Sequence, residues 1–232
     1  MIETFPPERP FLPASLRWRL MDAVEEGAAP YGLPTIDVSV DGGGWWTASL
    51  LRMQGGTGYH HRTLRAMALR LRGGRAVNVP WVELARIGTP PPPVRFSDGA
   101  SFDDGSRFVG QACVAELAEP VRFRDDEATI RILTPHQLIG GDMFSIDRGP
   151  LMGDELHGTD QVEALGDGRW RVRIGPQFRR SHPAGTPVNF SDPKCAMKLQ
   201  DPNGGLWPTF ERNWIARADA LFVEKMYPGE AP

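Results

Sequence analysis

In LRWRLMD (16–22), Leu16, Trp18 and Leu20 stand two residues apart with arginines between them. This period-two spacing belongs to a half-buried strand. TIDVSV (35–40) repeats it with β-branched residues, and WWTASLLRM (45–53) follows after Asp41 and three glycines. Two alternating runs around a glycine-rich tip predict a hairpin. In residues 60–72, HHRTLRAMALRLR, the period changes. Leu64, Met67, Ala68 and Leu71 fall at i, i+3, i+4 and i+7, and two glycines follow. That predicts a helix with a glycine stop. Its polar positions are rich in arginine, which suits either a solvated face or an interface for acidic partners.

Strand patterning returns in RAVNVPWVELA (75–85). It recurs in CVAELAEP (113–120) and ATIRILT (128–134), which flank the charged turn FRDDE. Residues 136–200 are dense in short strands: DMFSI, DELHGTDQVEAL, RWRVRI, PVNF and CAMKL. The pair DQVEAL and RWRVRI predicts a hairpin with Gly166, Asp167 and Gly168 at its tip. Residues 207–226 suit either a helix or a strand, and a closing strand over 215–224 is the expectation.

Between these elements lie segments of another kind. Residues 1–14 carry four prolines and predict an extended arm. IGTPPPPV (87–94) is a stiff spacer. Residues 95–110, RFSDGASFDDGSRFVG, are rich in Gly, Ser and Asp, yet space Phe96, Phe102 and Phe108 six apart, with Arg95 and Arg107 beside them. This predicts an exposed loop with aromatic anchors, and these five residues are the candidate assembly contacts.

Composition narrows the function classes. With 41% hydrophobic and 24% charged residues, the 232-residue chain can build a core. A net charge of −3 offers no global basic surplus for nucleic acid or anionic membrane, although a local basic patch stays open. Cys113 and Cys195 form no CxxC pair, so a disulfide framework or zinc site is not expected, and two buried thiols fit a reducing compartment. The N-terminus lacks a basic start followed by an apolar run, and no stretch approaches membrane-spanning length. Phosphate-loop, dinucleotide-binding, HExxH and GxSxG motifs are absent from the sequence.

The residue types that could carry chemistry have plainer readings. His60 and His61 are adjacent and point to different helix faces. Asp154, Glu155, His157 and Asp160 resemble a ligand group but also a polar hairpin edge. Asp103–Asp104 and Asp125–Asp126 could serve as acid–base pairs, yet both sit in turn sequence where Asp is favoured for local reasons. Cys113 lies in apolar, strand-like sequence. The expectation is no catalytic residue, no cofactor and no metal.

A resemblance adds to this reading. GDMFSI (141–146), RWRVRIGPQFRR (169–180) and AGTPVNFSDPKCAMKL (184–199) together resemble a small-barrel module common in phage tail-tip proteins. The N-terminal order of strand, paired strands, helix and strand over 16–85 is similar too. Together they cover about two thirds of the chain and resemble distal tail proteins of long-tailed, siphovirus-like phages or related gene transfer particles. The cysteine cluster of iron–sulfur minor tail proteins is lacking. The resemblance implies a mainly β fold: a split β-barrel with one packed α-helix plus a second small β-barrel subdomain. It divides the chain into an arm (1–14), a split-barrel ring domain (15–135 and 201–232, with helix 60–72 and loop 95–110) and an inserted barrel (136–200). It implies a structural virion protein, assembled in the host cytoplasm. It would form a ring with itself, a hexamer before a trimer. The ring would join the tail tube protein to the baseplate hub protein, with DNA passing transiently through the lumen and no membrane partner.

Two other classes fit some of the same features. A carbohydrate-binding β module would display two or three of the seven tryptophans on one exposed face. A hydrolase would need its carboxylates to converge in a pocket.

If the 95–110 loop docks onto another subunit, Phe102→Ser leaves the monomer folded and weakens assembly, since burying one such side chain contributes roughly 1.5–3 kcal/mol. Thermal unfolding of the monomer and the fraction assembled, measured together, check this. A destabilised monomer that still assembles places the loop in the core.

Overall fold

A computed structural model describes residues 2–5, 13–21, 24–26, 37–39, 44–55, 58–81, 113–201, 206, 209–210 and 216–227. In chain order the strands are β1 (Ser15–Met21), β2 (Val24–Glu26), β3 (Asp37–Ser39) and β4 (Trp45–Gly55). The helix α1 (Gly58–Arg70) comes next, then β5 (Val77–Pro80), β6 (Ala115–Leu117), β7 (Glu127–Ile132) and β8 (Met143–Asp147). The last six are β9 (Asp154–Gly166), β10 (Arg169–Gly175), β11 (Pro187–Val188), β12 (Lys194–Leu199), β13 (Thr209–Phe210) and β14 (Ala216–Glu224). The protein is mainly β: a split barrel with one helix, and a second small barrel.

These elements form two compact units. The first takes Met1–Pro80, Asp147–Leu156 and Lys194–Pro232; the second takes Trp81–Ile146 and His157–Pro193.

The first unit holds an open antiparallel sheet in the order β1-β4-β14-β12-β5, with β13 paired to β14. Alternation decides which side chains go inward. Trp46, Ala48 and Leu50 of β4 are buried, as are Ala218, Ala220 and Phe222 of β14. Between Ala218 and Ala220 the register shifts by a bulge, and Asp219 Oδ1 accepts the Arg52 N–H at 2.6 Å. Helix α1 buries Leu64, Met67 and Ala68, and Leu71 just beyond it is buried as well. Gly73 and Gly74, both at positive φ, end the helix as the sequence predicts. Helix 60–72 thus starts two residues earlier than expected and finishes its last apolar step in a turn.

At the β5 edge, the chain's own N-terminal residues add a parallel strand. Phe5 N–H donates to Asn78 O and Asn78 N–H to Glu3 O, each at 2.8 Å. Phe5 is 1% exposed and meets Phe222 at 5.1 Å between ring centroids. Residues 2–5 therefore dock on their own sheet. Among the residues of the expected 1–14 arm, these pair with β5 of the same chain; residues 6–12 lie outside the described residues. The pocket for Phe5 is what holds this segment at home.

The predicted hairpin of 35–40 with 45–50 is not formed. β3 pairs with β2 in a separate ribbon, and β4 pairs with β1 and β14. Sequence patterning gave β3 and β4 but not β2, and it carries no information on which strands pair.

The second unit is a six-stranded antiparallel sheet in the order β11-β6-β7-β10-β9-β8. It closes on itself, because Ser145 in β8 and Asn189 beside β11 exchange N–H···O bonds of 2.9 Å in both directions. Ala115, Leu117, Ala128, Ile130, Ile132, Phe144, Ile146, Val172, Phe178 and Phe190 fill its interior. The placement of β6 and β7 corrects the expected boundary at 136: they belong to this barrel, not to the split barrel. β12 goes the other way, into the first sheet, so the inserted unit is not the continuous 136–200. The reason is closure. Without β6 and β7 this sheet would lack the two strands linking β10 to β11, and it could not complete a ring.

The β9–β10 hairpin turns at Asp167–Gly168, with Gly166 opposite Arg169. Both turn residues have positive φ, 53° and 71°, as a type I′ turn requires. A Cβ at Gly168 would stand 2.8 Å from Ile132 O, while Ile132 N–H donates to Gly168 O at 2.8 Å. Gly168→Ala is expected to cost about 1–3 kcal/mol from strain and displacement of that bond. Urea unfolding of wild type and variant checks this; an unchanged midpoint shows that the turn does not constrain the barrel.

Candidate functional site

The sequence-nominated clusters do not assemble into a reactive centre among the described residues. On β9, Asp154 is half-buried and held structurally: Asn78 Nδ2 donates to its Oδ1, and its N–H donates to Asn78 Oδ1, both at 3.1 Å. Glu155 is fully buried, and Asp160 is exposed. His157 is fully buried inside the second barrel, with ring centroids 5.3 Å from Phe144 and 4.8 Å from Phe178. Its Nδ1 lies 2.8 Å from Pro176 O, so that nitrogen carries the proton. An aromatic sandwich with one ring nitrogen donating to a carbonyl is a packed core histidine. No group of three or more His, Cys, Asp and Glu is placed to hold a metal among the described residues.

The Asp125–Asp126 pair has local roles. Asp125 Oδ2 accepts the Arg122 N–H at 2.7 Å, an Asx-type turn, and Asp126 pairs with Arg173 at 3.6 Å. Asp103, Asp104 and the candidate contacts Arg95, Phe96, Phe102, Arg107 and Phe108 lie outside the described residues. His60 and His61 are half-buried neighbours on α1.

Both cysteines are buried and unbridged. Burial pushes the Cys113 thiol above its ordinary value. A hydrogen bond to Thr134 pulls the other way, and the Asp142 carboxylate adds to the rise. The thiolate is what attacks electrophiles, so this site suppresses nucleophilic chemistry.

The tryptophans are placed for packing. Trp46 is buried, its Nε1–H donating to Leu156 O at 2.8 Å and its backbone N–H to Glu224 Oε2 at 2.9 Å. Trp18 meets it edge-on at 6.3 Å. Trp45, Trp81 and Trp170 are half-buried. Trp207 and Trp214 lie outside the described residues. Tyr59 and Phe123 are the exposed aromatic side chains among the described residues.

What remains is surface. On the outer face of the second barrel, Arg171 bridges Glu163 at 2.9 Å and Glu127 at 3.1 Å, and Arg131 pairs with Glu116 at 3.2 Å. Asp126, Glu127, Gln161, Glu163, Arg171 and Arg173 line an open groove of about 370 Å³ there. The sequence signal for this ladder was present: arginines at 169, 171 and 173 and acids at 127 and 163 share the outward parity of paired strands. These pairs are well exposed, so their contribution to stability is small. The second surface is the solvent face of α1. It carries Arg62 and Arg65 with exposed Tyr59 and Leu69.

No helix among the described residues is long and apolar enough to cross a membrane. Compared with protein-family models and with curated proteins, the sequence matches none.

The raised Cys113 value carries a sign. The folded state favours the neutral thiol, so its contribution is fully present below the ordinary thiol range. It is lost as pH rises through that range toward the folded value. Stability measured by urea unfolding should therefore fall more steeply with pH in alkali for wild type than for Cys113→Ala. Native alkylation of Cys113 should be at least ~10-fold slower than in the unfolded chain. Rapid native alkylation contradicts the buried assignment.

Proposed function

We propose that this chain is a structural ring subunit of a phage tail tip, similar to distal tail proteins. Its ring would join the tail tube to the baseplate hub and let the genome pass. It would act in the virion, after assembly in the host cytoplasm, with six copies favoured over three.

The observation that carries the reading is architectural. An open sheet with one helix among the described residues contains, between β5 and β12 in the chain, a second sheet whose ends meet at the Ser145–Asn189 bridge. The resemblance in residues 141–199 leads one to expect that combination. The local roles of Asp125 and Asp126, in a turn and an ion pair, and the packing of His157 between phenylalanines support the same reading. A carbohydrate-binding module is less well supported, because the five tryptophans whose side chains are described are buried or half-buried rather than aligned on an exposed face.

Native mass spectrometry and electron microscopy of the purified chain test the proposal. The expected outcome is a closed homo-oligomeric ring with a central opening. A monomer at every accessible concentration, or an open filament without closure, overturns it.

A further inference from the structure

The net charge of −3 conceals a strong segregation. Residues 58–75 contain five arginines, Arg62, Arg65, Arg70, Arg72 and Arg75, and no acidic residue. The rest of the chain holds 21 Lys and Arg against 29 Asp and Glu, a net −8. The helical part of this segment presents its burial stripe, Leu64, Met67, Ala68 and then Leu71, to the core of its own unit. The opposite stripe is Tyr59, Arg62, Ala66 and Leu69, at i, i+3, i+7 and i+10. Arg65 and Arg70 flank it on either side. Tyr59 is 58% and Leu69 55% exposed. Arg62, Arg72 and Arg75 are exposed and have no ion-pair partner among the described residues.

We propose that this face of α1 is a docking surface for the acidic surface of a second copy of the chain, the contact that builds the ring proposed above, on which this inference rests. Three observations favour that occupant. Arginine and tyrosine, both enriched at interfaces, stand together in solvent beside exposed Leu69. The face already takes a carboxylate from its own chain: Arg70 Nη1 donates to both oxygens of Glu3, at 2.9 and 3.0 Å, with both side chains more than half exposed. The remaining −8 makes another copy electrostatically complementary. A basic face that meets a different, acidic face is a head-to-tail contact, and such contacts close into a ring when the rotation between copies closes, or else run on as a filament.

Nucleic acid fits less well. Exposed Leu69 has nothing to bury against on a phosphate backbone, and the acidic remainder of the chain repels a polyanion.

The test is sedimentation velocity of the full chain at low and high salt, for wild type, Arg62→Glu/Arg72→Glu and Arg62→Lys/Arg72→Lys. Fluorescence anisotropy with a labelled DNA duplex accompanies it. Wild type is expected to associate, more weakly at high salt. The Glu variant should associate about tenfold or more weakly, with an unchanged thermal midpoint, while the Lys variant keeps its association. If the Glu variant assembles like wild type, the inference fails and the ring reading stands. If wild type is monomeric throughout, both fail. Duplex binding by wild type that is lost in a normally assembling Glu variant would reassign the face to nucleic acid.

Discussion

The mutual hydrogen bonds between Ser145 and Asn189 decide what the middle of this chain is. A β-sheet ends in two rows of unsatisfied backbone groups, and those rows pair with whatever strand they meet. The Ser145–Asn189 bridge brings the two edges of the second unit's sheet together at one point. Asn189 also fixes its own turn: its side-chain oxygen accepts the N–H groups of Ser191 and Asp192, and its Nδ2 donates to Asp192 O. One residue therefore closes the barrel and turns the chain out of it toward β12. The interior that results is small enough for Ile130, Phe144, Phe178 and Phe190 to fill.

The first unit handles the same constraint differently. Its sheet stays open, and the β5 edge is covered by residues 3–5 of the same chain, anchored by Phe5. Asn78 joins these parts. Its backbone pairs with Glu3 and Phe5, while its side-chain amide holds Asp154. Glu224, buried on β14, accepts the Trp46 N–H and ties β14 to β4.

Charge follows the same division of labour. On the second barrel, opposite charges face each other across β7, β10 and β9 and largely neutralise one another. On α1, the arginines have no such ladder, because a helix of this composition offers no acidic residue at i+3 or i+4. Arg70 reaches outside the helix to pair with Glu3, while Arg62 and Arg72 have no ion-pair partner among the described residues.

Local patterning determined much of this protein from the sequence alone. Alternation in 16–22 and the strand-like run 45–53 placed β1 and β4, the Leu64–Met67–Ala68–Leu71 spacing placed the helix, and Asp167–Gly168 placed the hairpin turn. All of these depend on residues a few positions apart, where period and turn chemistry act directly. Tertiary structure alone decided which strands share a sheet. The sequence of β7 buries Ala128, Ile130 and Ile132 equally well in either unit; it is the need to complete a closed ring that recruits it beside β10. The same holds for β3, whose nearest neighbour in sequence is not its partner, and for residues 2–5, whose proline-rich context gave no sign of the Phe222 contact. Strand pairing across long separations is settled by mutual burial and by the demand that no interior backbone group go unpaired, and neither is written in any single segment.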